Sequence, residues 1–398
     1  MQNNQFTVLI NASNLYVGGG IQVALSFLDE LKTLDQPYTY HILVSPVIAS
    51  QIQPDDYPSN FIFIPIAKST ASLQTRWQVI KLLNQIEKNI MPNIVFTIFG
   101  PSYWRPKAKH LIGFADGWVY NPDTVAYGRL SRLASIKRKL LSLYKAYHLK
   151  RDGDYFVVET IDAKEKLSLV TKIPERLIFV VGNTFSNIFV KTEYLNQNNG
   201  HYRLLPPKEE DEFRLIYIAH NHPAKNLSII PDLLPLLKVH NIKFVLTLDE
   251  DSYAKIFNKN LSSKQIINIG PVPLKSCPSL YSQCDALFAP TLLETFSAAY
   301  PEAMIMNLPI LTSEFSFAKE ICGDSAVYFN PLDPMDIANK IVTLKNDFNA
   351  QRSLIEKGKK RIHFFETAKT RAEKYLALCN KLSLAHEEGP ICSETKLF

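Results

Sequence analysis

Two glutamates beside a predicted helix start could hold a polar, phosphate-bearing ligand in residues 285–302, DALFAPTLLETFSAAYPE. Glu294 follows a β-rich run in a short loop, and a helix is predicted from about Ala298 with Ser297 as its N-cap. Glu302 is then expected in the second turn. Unpaired backbone N–H groups at a helix start suit an anion, and the two carboxylates could bind hydroxyls at the two ends of one ligand. Alternatively, both glutamates are solvated surface acids.

A lysine stands at a similar position in residues 219–227, AHNHPAKNL, again between a predicted strand and a predicted helix. Lys225 is placed where a cation would neutralise a diphosphate. His220 and His222 could suggest a metal site, but no third ligand follows at a recognisable spacing. A phosphate or sugar contact is favoured over a metal, and ordinary loop histidines are an equally good explanation.

A glycine run, Gly18-Gly19-Gly20, lies between the first predicted strand and the first predicted helix. Glycines let the backbone approach a ligand closely, although this run is neither G-x-G-x-x-G nor a Walker loop. The sequence has no G-x-S-x-G, no H-E-x-x-H, and no Asp-x-Asp pair after a β-rich run in its first half. These absences count against a serine hydrolase, a zinc peptidase and metal-dependent sugar transfer.

The elements that must position these residues alternate between short β-rich runs and amphipathic stretches, which predicts parallel sheets covered by helices. Residues 189–211 lose this periodicity and predict a linker or exposed loop. We therefore expect an acceptor-binding Rossmann-like domain over 1–195, a donor-binding one over 196–366, a helix over 367–384 that could pack back on the first domain, and a flexible tail over 385–398. The predicted strands cover 6–12, 40–45, 61–66, 94–98, 110–115, 155–159, 177–181, 213–219, 243–248, 266–270, 286–290, 309–312 and 326–330.

Together these residues resemble the retaining GT-B glycosyltransferases of family 4. Their E-x7-E signature is matched by Glu294-Thr295-Phe296-Ser297 leading to Glu302-Ala303-Met304 and then Pro309-Ile310. Asn11-Ala12-Ser13-Asn14 before the three glycines looks like bacterial surface-polysaccharide enzymes, including O-antigen transferases. The resemblance implies an α/β fold of two facing Rossmann-like domains with a cleft between them. Further matching features are Gly270-Pro271-Val272, Tyr281, Asp285 and Lys225-Asn226-Leu227.

The resemblance also implies a role for each matching residue. Glu294 would bind donor-sugar hydroxyls, Lys225 and the backbone of 295–298 would hold the diphosphate, and Glu302 would bind the ribose hydroxyls. No metal or other cofactor is implied, because the departing diphosphate is stabilised by Lys225 and a helix N-terminus. The implied donor-binding set is Gly19, Gly20, His220, Lys225, Asn226, Gly270, Pro271, Val272, Thr295, Phe296, Ser297, Ala298 and Glu302.

Four positions depart from the family pattern. Thr295 and Ser297 replace two glycines, and His220 replaces an arginine, which removes one permanent positive charge. Where many members end a strand of the first domain with a catalytic histidine, this chain has Asp116. Asp116 is therefore a candidate for a sugar or acceptor contact beside Glu294 and Lys225.

The net charge of +6 is concentrated in one segment. Residues 1–195 hold 21 basic and 15 acidic side chains, and residues 129–151 hold eight basic side chains and no acid. With Leu130, Leu133, Ile136, Leu140, Tyr144 and Tyr147 at spacings of three and four, this segment predicts a cationic amphipathic helix. It could attach to an anionic membrane through Arg132, Lys137, Arg138, Lys139 and Lys145, or pack its apolar stripe on its own domain. Nucleic-acid binding is disfavoured, because no aromatic stacking platform accompanies the charge.

The predicted function is transfer of a sugar from a nucleotide-sugar donor to a polyprenyl-linked bacterial surface glycan, with retention at the anomeric carbon. The alternatives are a nucleotide-sugar epimerase of the same fold and a non-catalytic module that binds sugar nucleotides or membranes. The five cysteines form no C-x-x-C pair, which predicts reduced thiols in a cytoplasmic protein. Because no apolar run is long enough to span a membrane, we expect the protein to be peripheral on the inner face of the cytoplasmic membrane.

Overall fold

The computed structural model describes residues 6–16, 18–190, 204–257 and 263–385. These residues form two compact units. Unit 1 lies within 1–122, 139–182 and 368–398, and unit 2 lies within 123–138 and 183–367. Most of the predicted tail and linker, 386–398 and 191–203, fall outside the described residues.

Unit 1 is built on a seven-stranded parallel sheet in the order β3-β2-β1-β4-β5-β6-β7. Its strands are β1 Phe6–Ala12, β2 Tyr38–Val44, β3 Phe61–Pro65, β4 Ile94–Thr97, β5 His110–Gly113, β6 Tyr155–Val158 and β7 Ile178–Val180. The helices in this part of the chain are α1 Gly19–Leu31, α2 Pro46–Ala49, α3 Arg76–Ile90, α4 Gly117–Tyr120, α5 Arg132–Asp152 and α6 Ile161–Thr171.

Unit 2 is built on a six-stranded parallel sheet in the order β10-β9-β8-β11-β12-β13. Its strands are β8 Phe213–Tyr217, β9 Ile242–Leu246, β10 Ile266–Asn268, β11 Ala286–Ala289, β12 Ile310–Ser313 and β13 Ala326–Phe329. Its helices are α7 Ile230–Leu236, α8 Glu250–Phe257, α9 Cys277–Tyr281, α10 Ala299–Ile305, α11 Ser316–Cys322, α12 Pro334–Asn346 and α13 Phe348–Arg361, and the chain continues into α14 Ala368–Leu384.

The central strands follow from the sequence because their β-rich runs are buried, whereas the edge strands β3, β7 and β10 are only partly buried. All residues of β8, β9, β11 and β12 are buried, as expected for parallel strands covered on both faces. Every predicted strand is present, and the predicted α/β class with two parallel sheets is confirmed.

Two helix predictions need correction. The apolar spacing over residues 227–240 predicts a single helix, but this segment begins with a 3-10 turn, Leu227–Ile229, and its α-helical part is only seven residues long, with Pro235 near its end. Pro235 lacks a backbone N–H, so it weakens the helix where it stands. The spacing near residues 335–344 predicts the last helix before residue 367, whereas α13 follows α12 directly.

Helix α14 belongs to unit 1 and packs on α1. The Tyr375 ring lies 5.5 Å from Phe27 and 5.1 Å from Phe96, centroid to centroid. Arg371 donates to Ser26 Oγ at 3.0 Å. Unit 2 has its own core, in which Phe244, Phe288 and Phe329 lie between the sheet and its helices. Among the described residues, no helix is long and apolar enough to cross a membrane.

Candidate active site

The order of the unit 2 sheet places two loops side by side. The chain passes from β8 to β9 on one side of β8, and β11 pairs with the other side, so the order reverses between β8 and β11. Ligands of open α/β sheets bind at such a switch point, beyond the carboxyl ends of the strands. The carbonyl of Ala224, after β8, accepts from Leu292 N at 2.7 Å and from Thr291 Oγ1 at 2.9 Å, both after β11.

Lys225 and Glu294 form an ion pair at this switch point. Their side chains are 19% and 16% exposed, and the Lys225 ammonium lies 5.8 Å from the centre of the buried Tyr217 ring. Burial, the largest single effect, lowers the pKa of Lys225, but the charges of Glu294 and Tyr217 and their hydrogen bonds together outweigh it, so the pKa of Lys225 is raised. The structure thus brings together two of the three predicted catalytic residues as a charged, partly solvated pair.

The rest of the first loop holds Lys225 in place. Asn226 adopts a left-handed conformation with φ of 53°, and its Nδ2 donates to the carbonyl of Pro331 at 2.9 Å. Within the described part of the chain, its buried Oδ1 has no hydrogen-bond partner. His222 Nδ1 accepts from Ala224 N at 3.2 Å, so this histidine stabilises the turn.

His220 is the exposed member of this loop. Partial burial and the neighbouring charge of Lys225 lower the pKa of His220, which favours the neutral ring. The His220 and His222 rings are 5.9 Å apart, centre to centre. Over the described residues, no group of three or more His, Cys, Asp or Glu side chains could hold a metal ion.

Glu302 lies in the first turn of α10 and not in the second as predicted, because the helix begins at Ala299. Tyr281 Oη donates to its carboxylate at 3.2 Å. Burial raises the pKa of Glu302 to about 7, and the hydrogen bond from Tyr281 partly opposes this rise. Tyr281 ends α9 and is fully buried. A half-buried carboxylate that titrates near neutral pH is therefore held on the helix that follows the Glu294 loop.

The expected cap at Ser297 is wrong. Helix α10 starts at Ala299, its N-cap residue is Ala298, and no side chain caps it. Ala298 already has helical angles, and the Ser297 carbonyl accepts from Tyr300 N, so the turn preceding the helix is closed by the backbone. Ser297 is buried, and the preceding Phe296 packs on Phe365 with ring centres 6.2 Å apart. Thr295 is the first residue of segment 295–298, whose backbone was predicted to hold the diphosphate.

The loop after β10 is the third of the predicted donor-binding segments in unit 2. Gly270 has a φ of +75°, a conformation that favours glycine, and a Cβ added there would meet no atom within 4 Å. Pro271 is exposed and Val272 is half-buried. Asn268 anchors the loop, since its side chain bonds both the N–H and the carbonyl of Leu248 at 2.9 Å.

In unit 1, the glycine run begins α1. Gly18 precedes the helix with a φ of +80°, and Gly19 is its first residue. A Cβ on Gly20 would lie 3.3 Å from the Phe99 ring, so Gly20 is in a tight position, whereas Gly19 faces open space.

Asp116 has two structural contacts in unit 1. One oxygen caps α4 by accepting from Trp118 N at 3.0 Å, and the other is ion-paired with Lys145 Nζ at 2.6 Å. Both contacts are internal to the unit. The role of Asp116 toward a sugar or an acceptor stays a prediction.

The predicted membrane-binding residues divide between two sides of α5. Arg132, Lys137 and Lys139 are exposed and Arg138 is half-buried. Lys145 is turned toward Asp116 on another side of the helix. The predicted set is therefore not a single patch.

Sequence reasoning missed the parts that hold the ion pair. Tyr217 is the last residue of a buried strand, and the Ala224 carbonyl is a backbone group. Neither leaves a pattern in the sequence, because their role depends on which loops the sheet order brings together.

A protein-family model matches the part of the chain that contains this site. The model of the family described as "Glycosyl transferases group 1" matches residues 205–361. Unit 2 carries a glycosyl transferases group 1 domain. Its ion pair, Glu302 and Gly270 loop all lie inside the matched residues. No curated protein matches the chain in sequence.

Solved structures show the fold of the whole chain. A glycosyltransferase from Rickettsia africae is 16% identical, with 96% of this chain and 100% of that chain covered and a TM-score of 0.69. Anabaena Alr3699/HepE in complex with UDP and glucose is 12% identical, with 94% and 100% covered and a TM-score of 0.69. WaaG, a glycosyltransferase involved in lipopolysaccharide biosynthesis, is 11% identical, with 94% and 99% covered and a TM-score of 0.67. The expected GT-B fold is confirmed.

Proposed function

We propose that this glycosyl transferases group 1 protein moves a sugar from a nucleotide-sugar donor to a lipid-linked bacterial surface glycan with retention at the anomeric carbon. The observation that carries the proposal is the ion pair between Lys225 and Glu294 at the switch point of the group 1 domain. A cation and a carboxylate side by side match a donor, which presents a diphosphate next to sugar hydroxyls.

In this mechanism Lys225 binds the diphosphate and stabilises the negative charge that develops on it as the glycosidic bond breaks. Glu294 accepts hydrogen bonds from the sugar hydroxyls and fixes the sugar against the diphosphate. The leaving phosphate oxygen takes the proton of the acceptor hydroxyl on the same face of the sugar, which gives retention. The mechanism assigns no step to a metal.

Glu302 is the proposed ribose-binding residue. Its carboxylate is held by Tyr281 on α10, at the far end of the stretch that begins with Glu294. The separation of the two glutamates along the loop and helix suits a nucleotide-sugar, whose ribose and transferred sugar lie on either side of the diphosphate. The base is assigned to the loop of Gly270, Pro271 and Val272.

The nature of the acceptor is supported by two observations. The similar structure of WaaG is that of a glycosyltransferase involved in lipopolysaccharide biosynthesis. Helix α5 carries an exposed cationic surface, which suits an enzyme whose acceptor is embedded in an anionic membrane. We therefore propose a peripheral protein at the inner face of the cytoplasmic membrane.

The test is a panel of UDP-, GDP- and dTDP-sugars, incubated with and without a lipid-linked glycan acceptor. Acceptor-dependent release of nucleoside diphosphate, with an unchanged anomeric configuration in the product, is the expected result. An isomerised donor without acceptor would instead identify an epimerase, and donor binding without turnover would identify a binding module. Glu294→Ala should abolish transfer. It also leaves the partly buried charge of Lys225 without its partner, so we expect the thermal unfolding midpoint to fall, and circular dichroism checks that the variant is folded.

A further inference from the structure

Helix α5 presents an apolar stripe to solvent. Five side chains at spacings of three and four, Leu133, Ile136, Leu140, Leu143 and Tyr147, are 58–65% exposed. With 3.6 residues per turn they fall within about 80° of the helix circumference. The opposite side of the helix supplies the buried residues, Ser142, His148 and Leu149 among them. An amphipathic helix of a globular protein normally turns its apolar stripe inward, so this outward stripe lacks the usual packing partner.

The packing alternative for the predicted stripe therefore fails at four of its six positions, because Leu133, Ile136, Leu140 and Tyr147 are exposed. Tyr144 is the member that packs. Its ring stacks on Tyr103 with centres 5.8 Å apart, and its hydroxyl accepts from Arg76 of α3.

Arg76 also fixes the start of α3 beside α5. Its guanidinium lies 4.7 Å from the centre of the Tyr103 ring, and its Nε donates to the carbonyl of Thr70 at 2.7 Å. The next residue, Trp77, is 80% exposed, and Leu73 just before α3 is exposed as well. The start of α3 and the part of α5 from residue 139 onward, both in unit 1, thus present large apolar side chains around one anchoring arginine. Sequence periodicity gave no indication of the α3 contribution.

The stripe is bordered by positive charge. Arg132, Lys137, Lys139 and Lys150 are all exposed, and residues 129–151 contain no acid. At the helix angle given by 3.6 residues per turn, these basic side chains lie along the edges of the stripe. Lys145 and Arg151 are excluded from this charged border because they are ion-paired with Asp116 and Asp152.

This combination identifies the occupant by its chemistry. Aliphatic side chains with Trp and Tyr suit the boundary between lipid head groups and acyl chains, and the basic border suits anionic head groups. A second copy of the same face would bring like charges together, which opposes self-association. A nucleic acid would match the charges but leave the apolar stripe against phosphates.

We propose that the outward face of α5 and the start of α3, called the α3–α5 face, docks on an anionic lipid bilayer with Trp77, Leu140, Leu143 and Tyr147 inserted below the head groups. This docking is independent of the sugar-transfer proposal, since none of these residues lies in the group 1 domain. Basic residues bring the face to the membrane and the apolar side chains hold it there.

The fluorescence of one exposed tryptophan, Trp77, can report membrane insertion. It contains three tryptophans, of which Trp77 is 80% exposed while Trp104 and Trp118 are 1% and 6% exposed. Adding vesicles of phosphatidylglycerol and phosphatidylcholine should shift the fluorescence emission to the blue, and vesicles of phosphatidylcholine alone should produce a much smaller shift. Trp77→Phe should remove the shift. A shift that persists in this variant would overturn insertion of Trp77.

Binding is measured by co-sedimentation with the same vesicles. Leu140→Gln with Leu143→Gln should weaken binding about tenfold or more, and Lys137→Glu, Arg138→Glu and Lys139→Glu together should do the same. Val239→Gln, at an exposed apolar position of unit 2, is the matched control and should bind like the parent. Circular dichroism and the thermal unfolding midpoint check that each variant is folded.

Three outcomes would overturn the proposal. The first is unchanged vesicle binding in both sets of folded variants. The second is equal binding of the parent to vesicles with and without phosphatidylglycerol. The third is a parent that binds no vesicles and forms a dimer that Leu140→Gln with Leu143→Gln abolishes. The last result would assign the face to a second copy of the chain. Donor binding, measured in parallel, should be unchanged in every variant, so failure here is distinguishable from failure of the transferase proposal.

Discussion

Lys225 is the residue on which the proposed donor site depends. It is the cation at the switch point, and its charge is sustained by Glu294 despite burial. A hydrogen bond from a charged group to a phosphate contributes about 1.5–3 kcal/mol, so Lys225→Met should weaken donor binding about tenfold to a hundredfold. Isothermal titration calorimetry with the donor selected by the nucleotide-sugar panel measures this change.

Lys319→Met is the matched control for Lys225→Met, because it also removes a paired lysine, the partner being Glu314 on the exposed surface of unit 2. Its donor affinity should equal that of the parent. Equal losses in the two variants would indicate a general effect of charge, and an unchanged affinity in Lys225→Met would remove this residue from the donor site.

Glu302 should make donor binding depend on pH. Burial raises its pKa to about 7, and only the ionised carboxylate is a strong acceptor for two ribose hydroxyls. Donor affinity should therefore increase as the pH rises through about 7, and Glu302→Gln should flatten the profile. A nucleotide-sugar is the correct probe, because its diphosphate has no titration near this pH. A profile unchanged in Glu302→Gln would contradict the assignment.

Tyr281 provides an internal check on this titration. Its hydroxyl donates to the carboxylate and favours the ionised form. Tyr281→Phe should shift the midpoint of the affinity profile to higher pH, whereas Glu302→Gln removes the midpoint altogether.

The titration of Glu302 should also make the free energy of unfolding depend on pH. The folded chain retains a proton on Glu302 at pH values where the unfolded chain has lost it. This contribution to the free energy of unfolding is complete below about pH 4.5 and is lost as the pH rises through about 7, by about 3 kcal/mol at most.

At the residue scale, sequence reasoning could identify side chains with chemistry but not their local geometry. Glu294, Lys225 and Glu302 were recognisable from their types and their spacing to predicted strands. The N-cap at Ser297 was not predictable, because the turn before α10 is closed by the Ser297 carbonyl instead of its hydroxyl. Pairing of Lys225 with Glu294 spans 69 residues and depends on sheet order.

Among the elements, α14 makes a testable contribution to unit 1. Tyr375 is buried against Phe27 and Phe96, and Ala372, Leu376, Cys379 and Leu382 fill the same core. Truncating a large buried aromatic ring costs about 3–5 kcal/mol, so Tyr375→Ala should lower the free energy of unfolding by about that amount. Leu384→Ala, at an exposed position on the same helix, is the control and should change it by less than about 0.5 kcal/mol. Urea unfolding of the intact chain measures both, and equal effects would contradict this packing.

Strands were more predictable than helices for a physical reason. A buried parallel strand is largely apolar, as FVL within β9 and ALFA in β11 are. The charged exceptions, Arg214 in β8 and Lys243 in β9, are ion-paired with Glu212 and Glu209. Helix α13 gives no such signal, because Gly358 is its sole buried residue and its surface is strongly polar. Gly358 packs against Met304 of α10, a contact that only the folded unit reveals.

At the scale of the whole molecule, the excess positive charge lies entirely in the first half of the chain. Residues 196–398 hold 23 basic and 23 acidic side chains, so attraction for an anionic donor must come from the local charge of Lys225. Residues 1–195 carry the entire excess of +6, and eight of their 21 basic residues lie in 129–151. The proposed attraction to a membrane therefore rests mainly on one segment.

Salt should separate the two contributions to membrane docking. The Debye length falls from about 10 Å at 0.1 M to about 3 Å at 1 M salt, so attraction between the basic border and anionic lipid is screened. The apolar stripe is insensitive to this screening.

Raising the salt concentration should weaken binding to anionic vesicles about tenfold or more, while the blue shift of Trp77 at saturating lipid remains. In Leu140→Gln with Leu143→Gln, the residual binding at high salt should disappear. Loss of binding and blue shift in parallel in the parent chain would show adsorption by charge alone, and would remove the apolar stripe from the docking surface.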